Sequence, residues 1–178
     1  NTGEFIKYLS NTLLATLISF SNEMSIIADS IGPIDIVKAF HILHMDKRWG
    51  NASMSSYVYP GCGYGGYCLP KDTNALYAIA KHEGVEAPIL KNVIQTNDNM
   101  PFFISKRIMN AVEEIGKGKE AKIAILGLSF KPDSDDVRDT PSAKSIRCLI
   151  NQGYRYILGY DPVANKEFKK YYDLSITY

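Results

Sequence analysis

A glycine-rich stretch holds the residues of this chain whose types suggest covalent chemistry. It reads YPGCGYGGYCLPKD and places Cys68 two residues before Pro70, with Lys71 and Asp72 following. Because proline is favoured in the first turn of a helix, we expect Cys68 near a helix N-terminus, where the helix dipole and the Lys71 ammonium favour a thiolate. A thiolate is a strong nucleophile, and glycines let the backbone approach a ligand closely. Cys68 is therefore a candidate nucleophile, and the alternative is a buried structural cysteine, the role we expect for Cys62 and Cys148.

The same glycines match the spacing of a dinucleotide-binding fingerprint, Gly61-x-Gly63-x-x-Gly66. That fingerprint works only when a buried strand precedes the glycines and a helix begins within them, so that the pyrophosphate meets the helix N-terminus. The preceding residues, ASMSSYVYP, are polar and end in proline, and we expect the next helix to begin at about Pro70. Dinucleotide binding in the fingerprint manner is therefore not expected of these glycines.

Four helices are predicted to position this stretch. Apolar residues at helical spacing predict a first helix from Phe5 to about Ala28 with one buried face, formed by Ile6, Leu9, Leu13, Leu17, Phe20, Met24 and Ile27. Gly32 and Pro33 end it, Pro33 suits the first position of a second helix, and Ile36, Val37, Phe40 and Leu43 continue that helix towards Met45. A third is framed by Pro70 and Gly84, and a fourth runs from Pro88 to Ile115, with Pro101 expected to kink or interrupt it.

The periodicity changes after a Gly/Lys linker at 116–120. KIAILGL and YRYILGY are typical of buried strands, and Thr140-Pro141 predicts the start of a helix between them. The sequence therefore predicts a fold of α plus α/β type: an all-helical domain over 1–116 and the start of a Rossmann-like parallel α/β domain over 117–178. The charged loop SFKPDSDDVRDT follows the first strand, where open sheets hold ligands, although a solvated loop is an equal alternative.

Composition narrows the function classes. The chain has 178 residues, 46% hydrophobic content and a formal net charge of +1, so we expect a folded protein with neither nucleic acid nor membrane as partner. No transmembrane segment or signal peptide is recognisable, and the three cysteines suggest free thiols, so a cytoplasmic location is expected. His41 and His44 have no carboxylate partner on their helix, and no metal site is predicted.

Three separated segments resemble one family. GYGGYCLPKDTNAL is similar to the catalytic cysteine segment of the nucleotide-sugar dehydrogenases of the UDP-glucose/GDP-mannose dehydrogenase family, EFIKYLSNTLLATLISFSNE to its central helix, and GLSFKPDSDDVRDTP to the entry of its UDP-binding domain. The resemblance implies a central dimerisation domain followed by part of a UDP-binding domain. By the same resemblance the family's N-terminal NAD-binding domain and the rest of the C-terminal domain lie outside this chain.

The resemblance also implies a chemistry. Family members of this type oxidise UDP-glucose to UDP-glucuronic acid with NAD in two hydride transfers, and Cys68 would form the thiohemiacetal and thioester intermediates. Lys7 and Asn11, one turn apart on a helix, would donate to the oxygen that becomes negative, and Asp72 would position a water and assist proton transfer. Without the resemblance, Lys7 and Asn11 would be interpreted as a solvated face and Asp72 as a charge at a helix N-terminus.

The remaining site residues follow from the same resemblance. Lys71 and Arg138 are expected to contact the NAD cofactor. Arg48 is expected to cross a homodimer interface into the partner's sugar site, although the segment after it is longer than in several relatives. Binding of UDP-glucose is expected from Tyr57, Tyr59, Pro60, Gly61, Gly63, Tyr64, Gly65, Phe130, Lys131 and Arg48.

Several alternatives stay open on the sequence. GDP-mannose or another UDP-sugar could replace UDP-glucose as substrate. A separate thiol enzyme, such as an acyltransferase, would need a base near Cys68, but the histidines form no recognisable nucleophile-base pattern. A helical dimerisation module without chemistry is the third possibility. The isolated chain is expected to dimerise through its amphipathic helices and to have no dehydrogenase activity by itself.

Overall fold

The computed structural model describes residues 2–46 and 59–178. Its elements, in chain order, are α1 (Thr2–Ile31), α2 (Ile36–His44), α3 (Cys68–His82), α4 (Pro88–Glu114), β1 (Lys122–Leu126), α5 (Pro141–Asn151), β2 (Tyr156–Tyr160) and α6 (Asn165–Tyr171). The four predicted helices and the strand-helix-strand series are all present. The short helix α6 was not predicted, and α3 begins at Cys68 rather than at Pro70.

Contacts divide the chain into two compact units. The helical unit contains Asn1–Gly63 and Cys68–Asp98, and the α/β unit contains Tyr64–Tyr67 and Asn99–Tyr178. The division falls within α4, which continues through Pro101 as one helix. Of the two predicted outcomes, a kink or an interruption, the interruption is therefore wrong. A proline removes one backbone donor, and the hydrogen bonds on either side are enough to hold the helix together.

The helical unit is built on the face of α1 that carries small side chains. This face packs against α3 and α4: Thr12, Ala15, Ser19 and Asn22 are buried, and the Ser19 hydroxyl donates to the Val93 carbonyl at 3.2 Å. Small side chains let two helix backbones approach closely. The predicted burial of the apolar face is wrong for this chain, because the large side chains of that face remain substantially exposed, namely Ile6, Leu9, Leu13, Phe20 and Ile27.

The α/β unit contains a parallel two-stranded sheet with helices packed beside it. Lys122 of β1 pairs with Tyr156 of β2, and Leu126 pairs with Tyr160. Parallel strands need a crossover, and α5 supplies it. The core is formed by Val112, Ala121, Ile123, Leu128, Val137, Ala143, Ile146, Leu149, Tyr154, Ile157, Ala164, Phe168 and Tyr172. The predicted fold class, a helical domain followed by the start of a Rossmann-like α/β domain, is confirmed.

A buried carboxylate ties together the loops that follow the two strands. Asp161 directly follows β2, and its Oδ2 accepts hydrogen bonds from the backbone N–H groups of Leu128 at 2.8 Å and Ser129 at 3.3 Å, beyond the end of β1. Its Oδ1 accepts from Val163 at 2.9 Å and Ala164 at 2.8 Å. Burial alone raises the pKa of Asp161, but the four donors more than offset it and lower the pKa from 3.8 to about 2. We call this arrangement the Asp161 clamp.

Candidate active site

A buried carboxylate, Asp72, is the centre of a cluster of polar side chains in the helical unit. Asp72 lies in α3 with no exposed surface. Asn11 Nδ2 donates to Asp72 Oδ2 at 2.6 Å, and Lys7 Nζ lies 3.2 Å from the same oxygen. Lys71 Nζ donates to Asp72 Oδ1. The structure therefore brings together four of the residues that the sequence selected, two from α1 and two from α3.

The charge of Asp72 follows from these contacts. Burial raises the pKa of this carboxyl, while the hydrogen bonds from Lys71, Asn11 and Lys7 lower it, and the net result is a pKa below the ordinary value of 3.8. Asp72 is therefore ionised at neutral pH. A carboxylate of low pKa is a weak general base, so this geometry suits it to orienting the ammonium groups and a water molecule.

Cys68 is the first residue of α3 and is exposed. Residues four apart in a helix lie on one face, so Cys68 and Asp72 are one turn apart on the same face. The first N–H groups of a helix have no intrahelical acceptor, and with the helix dipole they favour an anion at this end. The thiol is thus accessible at the N-terminus of α3, with the Asp72 cluster one turn further along the helix.

The segment Tyr59–Gly63, which precedes Gly65 and Gly66, belongs to the helical unit. The ring of Tyr59 packs edge-to-face on His44 with centroids 4.6 Å apart, and Phe40 lies 6.3 Å from Tyr59. The Gly61 N–H donates to Asn22 Oδ1 at 2.7 Å. This segment, Tyr59 to Gly63, is therefore held by side chains of α1 and α2, with its glycine backbone exposed at Gly61.

Gly65 and Gly66 serve close packing within the α/β unit. A Cβ on Gly65 would collide with the Asp139 carbonyl oxygen and lie 2.9 Å from Pro141 Cδ. Gly66 has φ +78°, and a Cβ there would lie 2.8 Å from the Phe130 ring. Its N–H donates to the Arg138 carbonyl at 2.9 Å and is therefore used inside the protein. Close packing on protein atoms therefore accounts for a glycine at both positions.

The charged loop after β1 carries the other predicted binding residues. Phe130 is half-buried and Lys131 exposed, with Lys131 Nζ 5.5 Å from the centroid of the Phe130 ring. The Arg138 guanidinium donates to both oxygens of Asp136, at 2.9 and 2.5 Å, and lies 5.2 Å from the centre of the Tyr67 ring. Hydrogen bonds from Arg138 hold the pKa of Asp136 below its usual range. Two cations and two aromatic rings thus line one loop of the α/β unit.

Some predicted residues lie outside the described ranges, and some contributing residues were missed. Arg48 and Tyr57 are among the residues that the structure does not describe. Asn22 was missed, although an asparagine at helical spacing from Ala15 and Ser19 is a signal of a polar group on a packed face. Across residues 2–46 and 59–178, no group of three or more histidine, cysteine or acidic side chains could hold a metal ion.

Comparison with known proteins identifies the family. The profile of the UDP-glucose/GDP-mannose dehydrogenase family, central domain, matches residues 1–99, and the profile of the UDP binding domain of that family matches residues 124–178. The chain belongs to the UDP-glucose/GDP-mannose dehydrogenase family. The two profiles together cover most of the chain, in the order that the sequence resemblance implied.

Individual members of the UDP-glucose/GDP-mannose dehydrogenase family agree with the profiles. The chain is 40% identical to UDP-glucose 6-dehydrogenase YwqF of Bacillus subtilis over 177 residues, which is 99% of this chain and 38% of the relative. A solved UDP-glucose dehydrogenase from Pyrobaculum islandicum matches with a TM-score of 0.85 and 35% identity, covering 98% of this chain and 38% of that one. A solved UDP-D-ManNAc dehydrogenase from Pyrococcus horikoshii matches with a TM-score of 0.79 and 29% identity, covering 91% and 36%. The chain thus spans less than two fifths of the length of these relatives.

None of the helices in the described residues is long and apolar enough to cross a membrane. This agrees with the mixed polar and apolar faces of α1 and α4.

Proposed function

We propose that this chain is part of an NAD-dependent dehydrogenase that oxidises UDP-glucose to UDP-glucuronic acid through a covalent intermediate on Cys68. The observation that carries the proposal is the buried Asp72 carboxylate, bonded to Lys7 and Asn11 of α1, one helical turn from an exposed cysteine. The relatives named UDP-glucose 6-dehydrogenase support the choice of substrate. The match to a UDP-D-ManNAc dehydrogenase keeps other UDP-sugars as the alternative.

In this proposal each residue of the cluster has one task. The Cys68 thiolate adds to the C6 aldehyde, a C–S bond forms, and the carbonyl oxygen becomes negative. Lys7 and Asn11 donate hydrogen bonds to that oxygen. After the second oxidation stage the sugar is held as a thioester, and a water oriented by Asp72 adds to it, so that the C–S bond breaks and the acid and the thiol are released. Covalent capture keeps the reactive aldehyde in the site.

By resemblance to the family, Lys71 and Arg138 are each assigned to NAD. Each side chain by itself suits contact with a phosphate oxygen, because ammonium and guanidinium groups bind phosphate and about a third of the Lys71 side chain and half of the Arg138 side chain are exposed. Bound NAD⁺ would supply the hydride acceptor at each oxidation stage. Asp161 does not fit the role of an acidic ribose ligand at the end of a strand, because both its oxygens already accept two backbone N–H groups. We propose that the main dinucleotide-binding domain of the whole protein lies outside residues 1–178.

The residues assigned to the substrate are proposed by resemblance to the family. We assign the backbone of 59–65 and the side chains of Phe130 and Lys131 to UDP-glucose, with Tyr57 and Arg48 as further ligands by resemblance to the family. In the proposed division, 1–116 is the central domain and 117–178 the start of the UDP-binding domain.

We further propose that the protein is a cytoplasmic homodimer. The exposed apolar face of α1 is continuous with a groove of about 310 Å³ beside α2, lined by Phe20, Met24, Ile34 and Phe40 among others. A second copy of the chain would remove this surface from water. The thiols of Cys62, Cys68 and Cys148 are all unpaired, as expected in a reducing compartment.

The proposal is tested by replacing Cys68 in the full-length protein. Cys68→Ala is expected to stay folded and to bind UDP-glucose, measured by calorimetry, but to form almost no UDP-glucuronic acid in a product assay by mass spectrometry. Cys62→Ala and Cys148→Ala are the matched controls and should keep most of the activity. Acid formation by Cys68→Ala at a rate near that of the wild type would refute the proposed mechanism.

A further inference from the structure

Asn22 joins α1 to the start of the glycine stretch. Its side chain has no exposed surface, and its Oδ1 accepts the Gly61 N–H at 2.7 Å. It lies on the packed face of α1 together with Ala15 and Ser19. One partly buried hydrogen bond therefore links the glycine stretch to the helix that also carries Lys7 and Asn11.

The other end of the same amide is unsatisfied. Asn22 Nδ2 is buried and has no hydrogen-bond partner among the described residues. A buried donor without a partner destabilises the folded state, and an apolar side chain of the same size would avoid this cost. Stability alone therefore does not account for an asparagine at this position, and its useful atom is the oxygen that accepts from Gly61.

Gly61 could satisfy its N–H without Asn22. The residue is exposed, and water is an adequate acceptor for an exposed N–H group. The main effect of the hydrogen bond to Asn22 is consequently to position the backbone at Gly61, and its contribution to stability is small. It fixes where the backbone at Gly61 lies relative to α1.

We propose that Asn22 is a positioning residue that fixes the segment Tyr59–Gly63 on α1 and so pre-forms the backbone that binds the nucleotide sugar. The anchoring of the segment stands on the geometry of the helical unit. Its consequence for substrate binding rests on the function proposed above. A segment already ordered before binding loses less conformational entropy when the ligand arrives, so the affinity is higher.

Cys62 offers a direct readout of the anchor. It follows Gly61 in the chain, and burial raises the pKa of its thiol although part of the residue is exposed. Release of the segment would hydrate the thiol and increase its thiolate fraction, and alkylation would be faster. Cys148, in α5, is an internal reference because it belongs to the α/β unit.

The first experiment uses Asn22→Leu in the 178-residue chain. Iodoacetamide labelling followed by mass spectrometry should show that Cys62 reacts about fivefold faster at neutral pH, with the rate of Cys148 unchanged. The urea midpoint should be no lower than that of the wild type, because leucine removes the unsatisfied donor. Asn22→Asp keeps an acceptor for the Gly61 N–H and should keep Cys62 slow, even though a buried carboxylate lowers stability. An unchanged Cys62 rate in Asn22→Leu, or a fast one in Asn22→Asp, would overturn the anchor.

The second experiment measures kinetics with the full-length protein. Asn22→Leu should raise the KM for UDP-glucose about tenfold with kcat nearly unchanged, because the loss is one of uniform binding. Ser25→Ala, a small change one turn further along the same buried face, is the control and should leave KM as it is. An unchanged KM together with fast labelling of Cys62 would overturn the role in substrate binding. A wild-type protein that does not oxidise UDP-glucose would refute the proposed function, while the labelling result would still decide the anchor.

Discussion

The Asp161 clamp leads to a prediction about the stability of the α/β unit. Each Asp161 oxygen accepts two backbone N–H groups, so Asp161→Asn cannot preserve the arrangement in either orientation of the amide. The new NH₂ group must face either the pair at Leu128 and Ser129 or the pair at Val163 and Ala164. Two backbone N–H groups would then lose their acceptor and face the NH₂ group of the asparagine, which is also a donor.

The structure sets the size of the effect. A pKa lowered from 3.8 to about 2 corresponds to about 2 kcal/mol of stability at neutral pH. The loss of acceptors for two buried N–H groups gives a similar figure, about 2 to 3 kcal/mol after partial relaxation. Because the folded-state pKa is the lower one, this stability is present above the ordinary Asp pKa and is lost as the pH falls through the folded-state value, between about pH 5 and about pH 2.

The assay is urea unfolding followed by near-ultraviolet circular dichroism, a signal to which the aromatic side chains contribute, among them Tyr154 and Tyr172 in the core of this unit. At neutral pH, Asp161→Asn should lower the free energy of unfolding by about 2 kcal/mol. Between about pH 5 and about pH 2, the wild type should lose stability faster than the variant, so the two curves converge. Asp173→Asn, at an exposed carboxyl of the same unit, is the matched control and should change little.

Two results would refute the reasoning. If the free energy of unfolding of Asp161→Asn equals that of the wild type at neutral pH, the four hydrogen bonds do not stabilise the loops. If the difference between the two proteins is the same at every pH, the stabilisation does not come from the ionised carboxylate.

Three further predictions concern other parts of the chain. Gly65→Ala should destabilise the α/β unit by about 1 to 3 kcal/mol, because the new Cβ would collide with the backbone at Asp139. Gly118→Ala has open space around it and should leave the stability unchanged, and thermal unfolding of the two variants tests the difference. Asp72→Asn should flatten the loss of stability below about pH 4, because in the wild type the hydrogen bonds from three donors outweigh burial and lower the Asp72 pKa, and an equally steep acid profile in the variant would contradict this. Phe20→Glu should shift sedimentation from dimer to monomer, whereas Tyr171→Glu, on the α/β unit, should not; a monomeric wild type at micromolar concentration would exclude the dimer.

Local sequence patterns predicted most of the secondary structure for physical reasons that operate within a few residues. Proline and glycine at the ends of α3 and α4, and apolar runs in β1 and β2, act through backbone geometry and short-range burial. The short helix α6 lies in the charged segment NKEFKKY, where one buried residue, Phe168, holds it to the core. A single apolar anchor leaves no periodic signal, so this helix could not be predicted from its own residues.

The sequence proposes candidate site residues, and the contacts between them are visible only in the structure. Cys68 and Asp72 could be selected from the sequence because both lie in one short segment, which predicts a helix N-terminus and resembles the catalytic cysteine segment of the family. The bond between Asn22 and Gly61, and the contacts of Asp161 beyond β1, join residues far apart in the chain. The face of α1 that packs was also missed, since hydrophobicity alone favoured the large side chains and the packing of the helix instead uses small ones such as Ala15 and Ser19.

The close packing of Gly65 and Gly66 on the later loop has a consequence for how the chain is made. Their partners, Phe130, Arg138 and Pro141, are synthesised long after the glycines have left the ribosome. Closing so large a loop carries an entropic cost and makes this contact slow to form. A nascent chain that contains only α1, α2 and α3 therefore has Cys68 directly after a segment whose docking surface does not yet exist. The segment Tyr64–Tyr67 acquires its packing late in biosynthesis, after the β1–α5 connection has folded.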